Sequence, residues 1–177
     1  MVTAPRTPRA TRTSQPAALA YSTENCQVAA AMRVLGERGT LIVLREVFNG
    51  VRRFDDIQQH SGLARQVLSD RLARLVDHAI LRRVPYRPEG GGRERHEYRL
   101  TDKGFDLYPV LAAVADWGRR YYAAPEGPPV ELEHVGCGAV VHAALVCESG
   151  HRVEDPRAVT SRPGPGARPL DPASDAR

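Results

Sequence analysis

Five polar side chains within a span of ten residues have the chemistry to read base pairs: Arg65, Gln66, Ser69, Asp70 and Arg74. A glutamine amide can form paired hydrogen bonds with adenine, and an arginine guanidinium can bind both acceptors of guanine. Ser69 can contact a phosphate or a base. Asp70 can accept a hydrogen bond from cytosine, or it can pair with Arg74 four residues later. Together these side chains predict a surface that contacts double-stranded DNA.

A second group of arginines surrounds a glycine-rich segment, residues 90–92, and consists of Arg87, Arg93 and Arg95. Guanidinium groups at such a tip would meet phosphates or enter the minor groove, where they position a protein more than they specify a sequence. A single surface arginine is usually only a solvated charge. These arginines follow the polar set closely in the chain, so we expect them to contact DNA beside it.

The polar set belongs to a helix that must present one face and bury the other. Leu68, Leu72 and Leu75 recur at helical spacing through residues 64–78, which we call the reading helix. Its leucine face is expected to pack on a core, and its polar face to point outward. Gly62 allows a tight turn before it. The pattern predicts a helix-turn-helix.

Two strand-like runs, residues 81–86 and 95–100, follow the reading helix and enclose the glycine-rich tip. They predict a hairpin, the wing, whose tip carries the arginines. Residues 52–54 are expected to form a short strand that pairs with it. The predicted fold is therefore a winged helix-turn-helix, mainly α with a small β wing (α+β).

Two helices are predicted to support the reading helix from the N-terminal side. Ser22 or Thr23 can cap the first, and residues 41–48 form a second, strongly apolar helix. The inward face of the first helix is expected to consist of Val28, Met32 and Leu35.

An apolar stripe marks the last predicted helix, which begins after a cap at Thr101. Its members lie three or four residues apart: Leu107, Val110, Val114, Trp117 and Tyr121. Such a stripe either packs on its own domain or meets a second copy of the chain. The second interpretation is favoured, because winged-helix readers commonly bind paired half-sites.

Charge is distributed along the 177 residues in a way that suits a polyanionic partner. Residues 1–20 carry three arginines and no acid, residues 21–123 carry 17 basic and 13 acidic side chains, and residues 124–177 carry 5 and 8. No apolar run approaches the roughly 20 residues that cross a bilayer, and the N-terminus lacks a secretory signal. A cytoplasmic protein with no membrane partner is expected.

Composition divides the chain into five predicted segments. They are a disordered basic arm (1–20), the winged-helix domain (21–123), a Pro-rich linker (124–129), a small appendix (130–153) and a disordered tail (154–177).

Two pairs of soft ligands in the appendix could hold a metal ion. His134 and Cys137 form the first pair, and Cys147 and His151 form the second, with nine residues between the pairs. The arrangement resembles the two knuckles of a zinc ribbon, although a ribbon would more often carry another cysteine near Gly150. The alternative is an appendix that binds no metal. Zinc is thus a candidate cofactor, and the predicted DNA binding requires none.

The order of several short motifs resembles the HxlR-type regulators. These motifs are Cys26-Gln27-Val28-Ala29, Leu41-Ile42-Val43-Leu44-Arg45, Leu68-Ser69-Asp70-Arg71-Leu72, Tyr98-Arg99-Leu100-Thr101-Asp102-Lys103-Gly104 and Trp117-Gly118. The resemblance covers about residues 24–122. It implies a bacterial winged helix-turn-helix transcription factor that acts as a homodimer through its first and last helices. Val28 and Met32 would then join the stripe in the interface.

The resemblance also singles out Cys26, because some members of that family sense oxidants through a cysteine near the N-terminus. The start of a helix favours a thiolate, whereas Glu24 opposes it and no Lys or Arg is adjacent. Gln27 stands where relatives usually have proline. The alternative role for Cys26 is that of a small packing residue.

These observations predict a sequence-specific regulator of transcription, most simply a homodimeric repressor released by a redox or small-molecule signal. The alternative is a winged-helix module for protein contacts, and the arginines of the wing favour DNA over it. An enzyme is not predicted, since the sequence contains no phosphate loop and no recognisable catalytic arrangement.

Overall fold

A computed structural model describes Ser22, residues 24–88 and residues 91–169 of the chain. The predicted arm (1–20), Tyr21, Thr23, the centre of the wing tip (89–90) and residues 170–177 lie outside the described residues. The elements follow in the order α1 (Gln27–Leu35), α2 (Thr40–Phe48), α3 (Phe54–Ser61), α4 (Arg65–Asp77), β1 (Leu81–Tyr86), β2 (Arg95–Leu100), α5 (Asp102–Phe105), α6 (Tyr108–Tyr122) and a 3-10 turn (Pro156–Ala158).

The described residues fall into two compact units. The larger comprises residues 27–160 and contains all the helices and strands named above, and the smaller comprises the described parts of residues 1–26 and 161–177. Within the smaller unit the Asn25 amide donates to the carbonyl of Gly166 at 2.6 Å. In the C-terminal segment that the sequence predicts to be disordered, the described residues 154–169 include the 3-10 turn. No helix among the described residues has the length and apolar character needed to cross a membrane.

The core of the larger unit forms where α2, α3, α4 and the two strands meet. Its buried members are Leu35, Val43, Leu44, Val47, Ile57, Leu68, Leu72, Leu75, Ile80, Leu81 and Tyr98. The three leucines of α4 are fully buried, which confirms the apolar face predicted for the reading helix. Each contributes about 1.5–3 kcal/mol through the transfer of its side chain out of water.

A glycine turn joins α3 to α4. Gly62 follows the last residue of α3 with φ 65°, a left-handed conformation that a residue with a Cβ adopts at a cost. Its N–H donates to the carbonyl of Gln58 at 3.0 Å and closes the helix. The predicted turn is confirmed, and the reading helix is α4.

The wing is an antiparallel hairpin in which Leu81 lies opposite Leu100 and Tyr86 lies opposite Arg95. A third piece of chain pairs with β2, because Arg53 forms a bridge with Glu97 and the N–H of Tyr98 donates to the carbonyl of Arg52 at 2.8 Å. The predicted pairing of residues 52–54 with the wing is therefore confirmed for its first two members. Phe54 instead begins α3.

The segment after Thr101 forms two helices where the pattern predicted one. The Thr101 hydroxyl accepts from the N–H of Gly104 at 3.1 Å, which confirms the predicted cap but only for the short α5. Pro109 has no N–H to continue a helix and is well tolerated only in a first turn. The chain accordingly stops at Phe105 and starts again as α6, with Pro109 in its first turn.

The start and inner face of α1 differ from the prediction. The helix begins at Gln27, so neither predicted capping residue stands next to it. Leu35 is buried, but Val28 and Met32 are 69% and 47% exposed and do not join the core. Spacing identifies the apolar face of a helix but not the surface that covers it, which explains the error.

Candidate nucleic-acid interface

The polar face of α4 is open to solvent, opposite the leucines that fix the helix to the core. Arg65, Gln66, Ser69 and Asp70 are all exposed. Full burial of the leucines holds the helix in place, so these polar side chains project from a firmly packed support. A protruding helix of this kind fits the width of the major groove.

The side chains of Gln66 and Asp70 are hydrogen-bonded to each other. The Gln66 amide nitrogen donates to the Asp70 carboxylate at 2.9 Å across one helical turn. A carboxylate only accepts, so this bond fixes which end of the amide faces Asp70. The second N–H and the carbonyl oxygen of Gln66 remain for a base, and these are the groups that pair with adenine.

The side chain of Arg74 contacts α1 and not Asp70, which was its predicted partner. Its guanidinium donates to the carbonyl of Arg33 on α1, and the predicted pair with Asp70 is not formed. The Nε atom is buried and has no hydrogen-bond partner among the described residues. Arg74 therefore links α4 to α1, and in this position its guanidinium is directed to the main chain of α1 and not to the Asp70 carboxylate. The two residues are 41 positions apart, so no local pattern in the sequence predicts their contact.

All three predicted wing arginines, Arg87, Arg93 and Arg95, are exposed. Alternate residues of a strand point to the same side, and the register therefore places Arg82 and Arg99 on the same face of the hairpin as Arg95. The sequence prediction missed these two. Arg99 contacts Glu97 on the same strand, which neutralises part of this charge.

One acidic side chain joins the wing to the reading helix. Asp55, in the first turn of α3, lies 3.5 Å from the Arg65 guanidinium and 3.8 Å from that of Arg95. The Arg65 guanidinium carbon also lies 4.7 Å from the centre of the Phe54 ring, within the range of a cation–π contact. No local pattern in the sequence identifies Asp55, because both of its partners lie far from it in the chain.

The apolar stripe of α6 is exposed and does not pack on its own domain. Val110, Val114, Trp117 and Tyr121 all present large apolar surface to solvent. The other side of α6 makes the intramolecular contacts, including Tyr108 on Phe48 of α2 with ring centres 4.7 Å apart. Leu107 is the exception. It precedes α6 and packs, partly buried, against the core of its own domain, so its place in an interface between copies stays a prediction.

The appendix is fastened to α6 through Asp116. The Asp116 carboxylate accepts from the main-chain N–H of Ala143 at 2.7 Å and from Arg119 at 3.1 Å. His142 Nδ1 lies 3.1 Å from Asp116 and 2.9 Å from Arg119, so it can donate to the first or accept from the second. Burial raises the pKa of Asp116, but the hydrogen bonds from His142, Ala143 and Arg119 outweigh it. The net pKa is below the ordinary value.

In one of the two predicted metal-ligand pairs the side chains are in contact, and in the other the contact is between main-chain atoms. His134 Nδ1 lies 3.2 Å from Cys137 Sγ, and a turn brings Cys147 opposite His151 through a main-chain bond of 3.0 Å. Within residues 24–88 and 91–169 no three His, Cys, Asp or Glu side chains are gathered as a metal site. Zinc binding stays a prediction, and the metal content of the purified full-length protein tests it.

The arrangement of α3, the Gly62 turn, α4 and the hairpin defines a winged helix-turn-helix protein. The sequence model of the HxlR-like helix-turn-helix family matches residues 34–126. The chain belongs to that family, and it is a transcriptional regulator with a helix-turn-helix DNA-binding fold. The resemblance inferred from the sequence motifs is confirmed.

Relatives cover most of the chain. An HTH-type transcriptional regulator of Mycobacterium tuberculosis, Rv3095, is 42% identical over 148 residues, which are 84% of this chain and 92% of that protein. YvaP of Bacillus subtilis, also an HTH-type transcriptional regulator, is 32% identical over 51% of this chain and 82% of its own length. The solved structure of PA1607, a candidate transcription factor, shows 33% identity and a TM-score of 0.64, with 79% of this chain and 96% of that chain covered.

Proposed function

We propose that this protein is a homodimeric regulator that binds a specific sequence of duplex DNA through α4 and the wing. The observation that carries the proposal is the exposed polar face of α4, which is opposite three fully buried leucines and next to an arginine-rich hairpin. Gln66, held by Asp70, would read adenine, and Arg65 would read guanine. Arg87, Arg93 and Arg95 would bind the DNA backbone.

The dimer is supported by the surfaces that the single chain leaves uncovered. Val28 and Met32 of α1 are exposed, as are Val110, Val114, Trp117 and Tyr121 of α6. Apolar residues grouped on one helix face commonly mark a contact surface. In a two-fold dimer each copy would supply the same patch, and the two reading helices would meet successive turns of DNA.

Replacing Gln66 with alanine should relax the base preference at one position of the binding site. A lost paired contact to a base is worth about 1–3 kcal/mol of discrimination. The preferred duplex is first obtained by selection from a random library, and affinity is then measured for that duplex and for its single-base variants. Equal binding of the wild type to the selected duplex and to a shuffled one at matched salt would contradict the proposal.

Replacing Arg93 with alanine should weaken binding to all sequences alike. Loss of one phosphate contact should reduce the slope of log affinity against log salt by about 0.9. The control is Arg157→Ala, which removes the same charge from an exposed position in the C-terminal part of the chain. If both variants lower the slope equally, the wing has no special role in contacting the backbone.

Repression, and release by a redox or small-molecule signal, are further parts of the proposal. Cys26 directly precedes α1 and is partly exposed, so a reagent can reach its thiol. Modification there would act at the start of a helix that the proposed dimer uses.

In the expected result, mild diamide or peroxide lowers DNA affinity of the wild type but not of Cys26→Ser. If the oxidant releases DNA from both proteins, the sensing thiol would be Cys137 or Cys147, which are exposed. Release from neither would favour a noncovalent ligand as the signal.

A winged-helix module that binds only proteins is the alternative function. The polar face of α4 and the exposed arginines of the wing argue against it, because a protein-docking wing would be expected to present apolar residues. The selection experiment separates the two functions.

A further inference from the structure

We propose that Asp55 is a positioning residue for base readout, acting through Arg65 and tying the reading helix to the wing through Arg95. This inference rests on the proposed DNA binding and adds a determinant of its specificity. Asp55 itself does not need to touch DNA.

Asp55 stands where three elements begin. It lies in the first turn of α3, Arg65 is the first residue of α4, and Arg95 is the first residue of β2. Its two carboxylate oxygens face different partners: Oδ1 is 3.5 Å from Arg65, and Oδ2 is 3.8 Å from Arg95. One anion therefore joins two cations that come from separate parts of the proposed interface.

Arg65 is held from two sides. Asp55 approaches one terminal nitrogen of its guanidinium, and the Phe54 ring lies against its face at 4.7 Å. A guanidinium has five N–H donors, so most of them remain for a base or a phosphate after this contact. Holding such a side chain in place before binding lowers the entropy lost when it docks. Base readout by Arg65 should therefore depend on Asp55.

Asp55 also opposes binding to unrelated DNA. Nonspecific affinity arises mainly from cations that replace counterions on the phosphates, and here one carboxylate offsets part of two guanidinium charges. The three side chains are exposed, at 66%, 72% and 62% for Asp55, Arg65 and Arg95. Phosphates can reach both arginines and compete with the carboxylate for them. Loss of Asp55 should thus raise the affinity for DNA of any sequence. It should also reduce the difference in affinity between the preferred sequence and its single-base variants.

The chain contains a close control in Asp56. It lies in the same first turn of α3, is exposed, and makes no ion pair with any residue within the described ranges. Asp55→Asn and Asp56→Asn remove the same charge and the same favourable interaction with the helix N-terminus. Only the first removes contacts to Arg65 and Arg95.

The test uses the full-length protein, a duplex selected from a random library, its single-base variants and a shuffled duplex of equal length. Both variants should bind the shuffled duplex more tightly than the wild type, and Asp55→Asn more so. Only Asp55→Asn should reduce the preference at one base position, by about three- to tenfold. In an Arg65→Ala background the same change should cause no further loss at that position. Thermal unfolding of each variant confirms that it is folded.

The outcomes separate this inference from the proposed function. Equal effects of the two Asn variants on base preference would overturn the role of Asp55. A loss of preference that persists in the Arg65→Ala background would overturn its action through Arg65. A wild-type protein that prefers no sequence would overturn the proposed function first, and this inference with it.

Discussion

Replacing Val114 with glutamate should separate the dimer into single chains. Val114 is 46% exposed on one chain and lies in the middle of the apolar stripe of α6. In the proposed interface the new carboxylate would lose water without gaining a partner, and two-fold symmetry would place two of them there. An uncompensated buried charge costs about 3–5 kcal/mol, so self-association should weaken by a factor of at least roughly a hundred.

Sedimentation of the wild type and the variant over a range of concentrations measures this effect. Val135→Glu is the matched control, because it introduces the same side chain at a fully exposed position in the appendix. It should leave self-association unchanged. A wild-type protein that sediments as a monomer at micromolar concentration would rule out the dimer, and equal weakening by both variants would place the interface elsewhere.

Replacing Leu72 with alanine should lower the free energy of unfolding by about 2–5 kcal/mol. Leu72 is fully buried and lies between Leu68 and Leu75 on the core face of α4. A small domain is stable by only about 5–15 kcal/mol, so this change removes a large share of its stability. The reading helix loses its support, and DNA binding should fail at a lower temperature than in the wild type.

Urea or guanidinium unfolding measures the loss. Gln66→Ala serves as the control, because it shortens an exposed side chain on the opposite face of the same helix. It should change the free energy of unfolding by no more than about 0.5 kcal/mol. If Leu72→Ala were as stable as this control, the leucine face of α4 would not contribute to the stability of the core.

The core of the fold could be predicted from the sequence because its signals are local and periodic. Leucine spacing in α4, the Gly62 turn and the two strand-like runs each specify an element within a few residues. The exposed set Arg65, Gln66, Ser69 and Asp70 followed from the same pattern, since the polar face of such a helix is the one left open.

The contacts that the sequence did not predict join residues that are far apart in the chain. Arg74 binds the carbonyl of Arg33, and Asp55 meets Arg65 and Arg95, across 10 to 41 residues. Long side chains can reach several neighbours, and only the packed fold decides between them. The break before α6 is different in kind, because its cause is local: Pro109 lies in the first turn of α6 and cannot continue a preceding helix.

The bond between Asp116 and the main-chain N–H of Ala143 has an evolutionary consequence. Every residue except proline offers that N–H, so this anchor places almost no demand on the side chain at position 143. Substitutions at position 143 can accumulate while this hydrogen bond to α6 persists. For this hydrogen bond the constraint falls on Asp116 of α6, whereas the contact between His142 and Asp116 does depend on the side chain at position 142. Position 143 could therefore acquire new surface chemistry during divergence without loss of this bond to the domain.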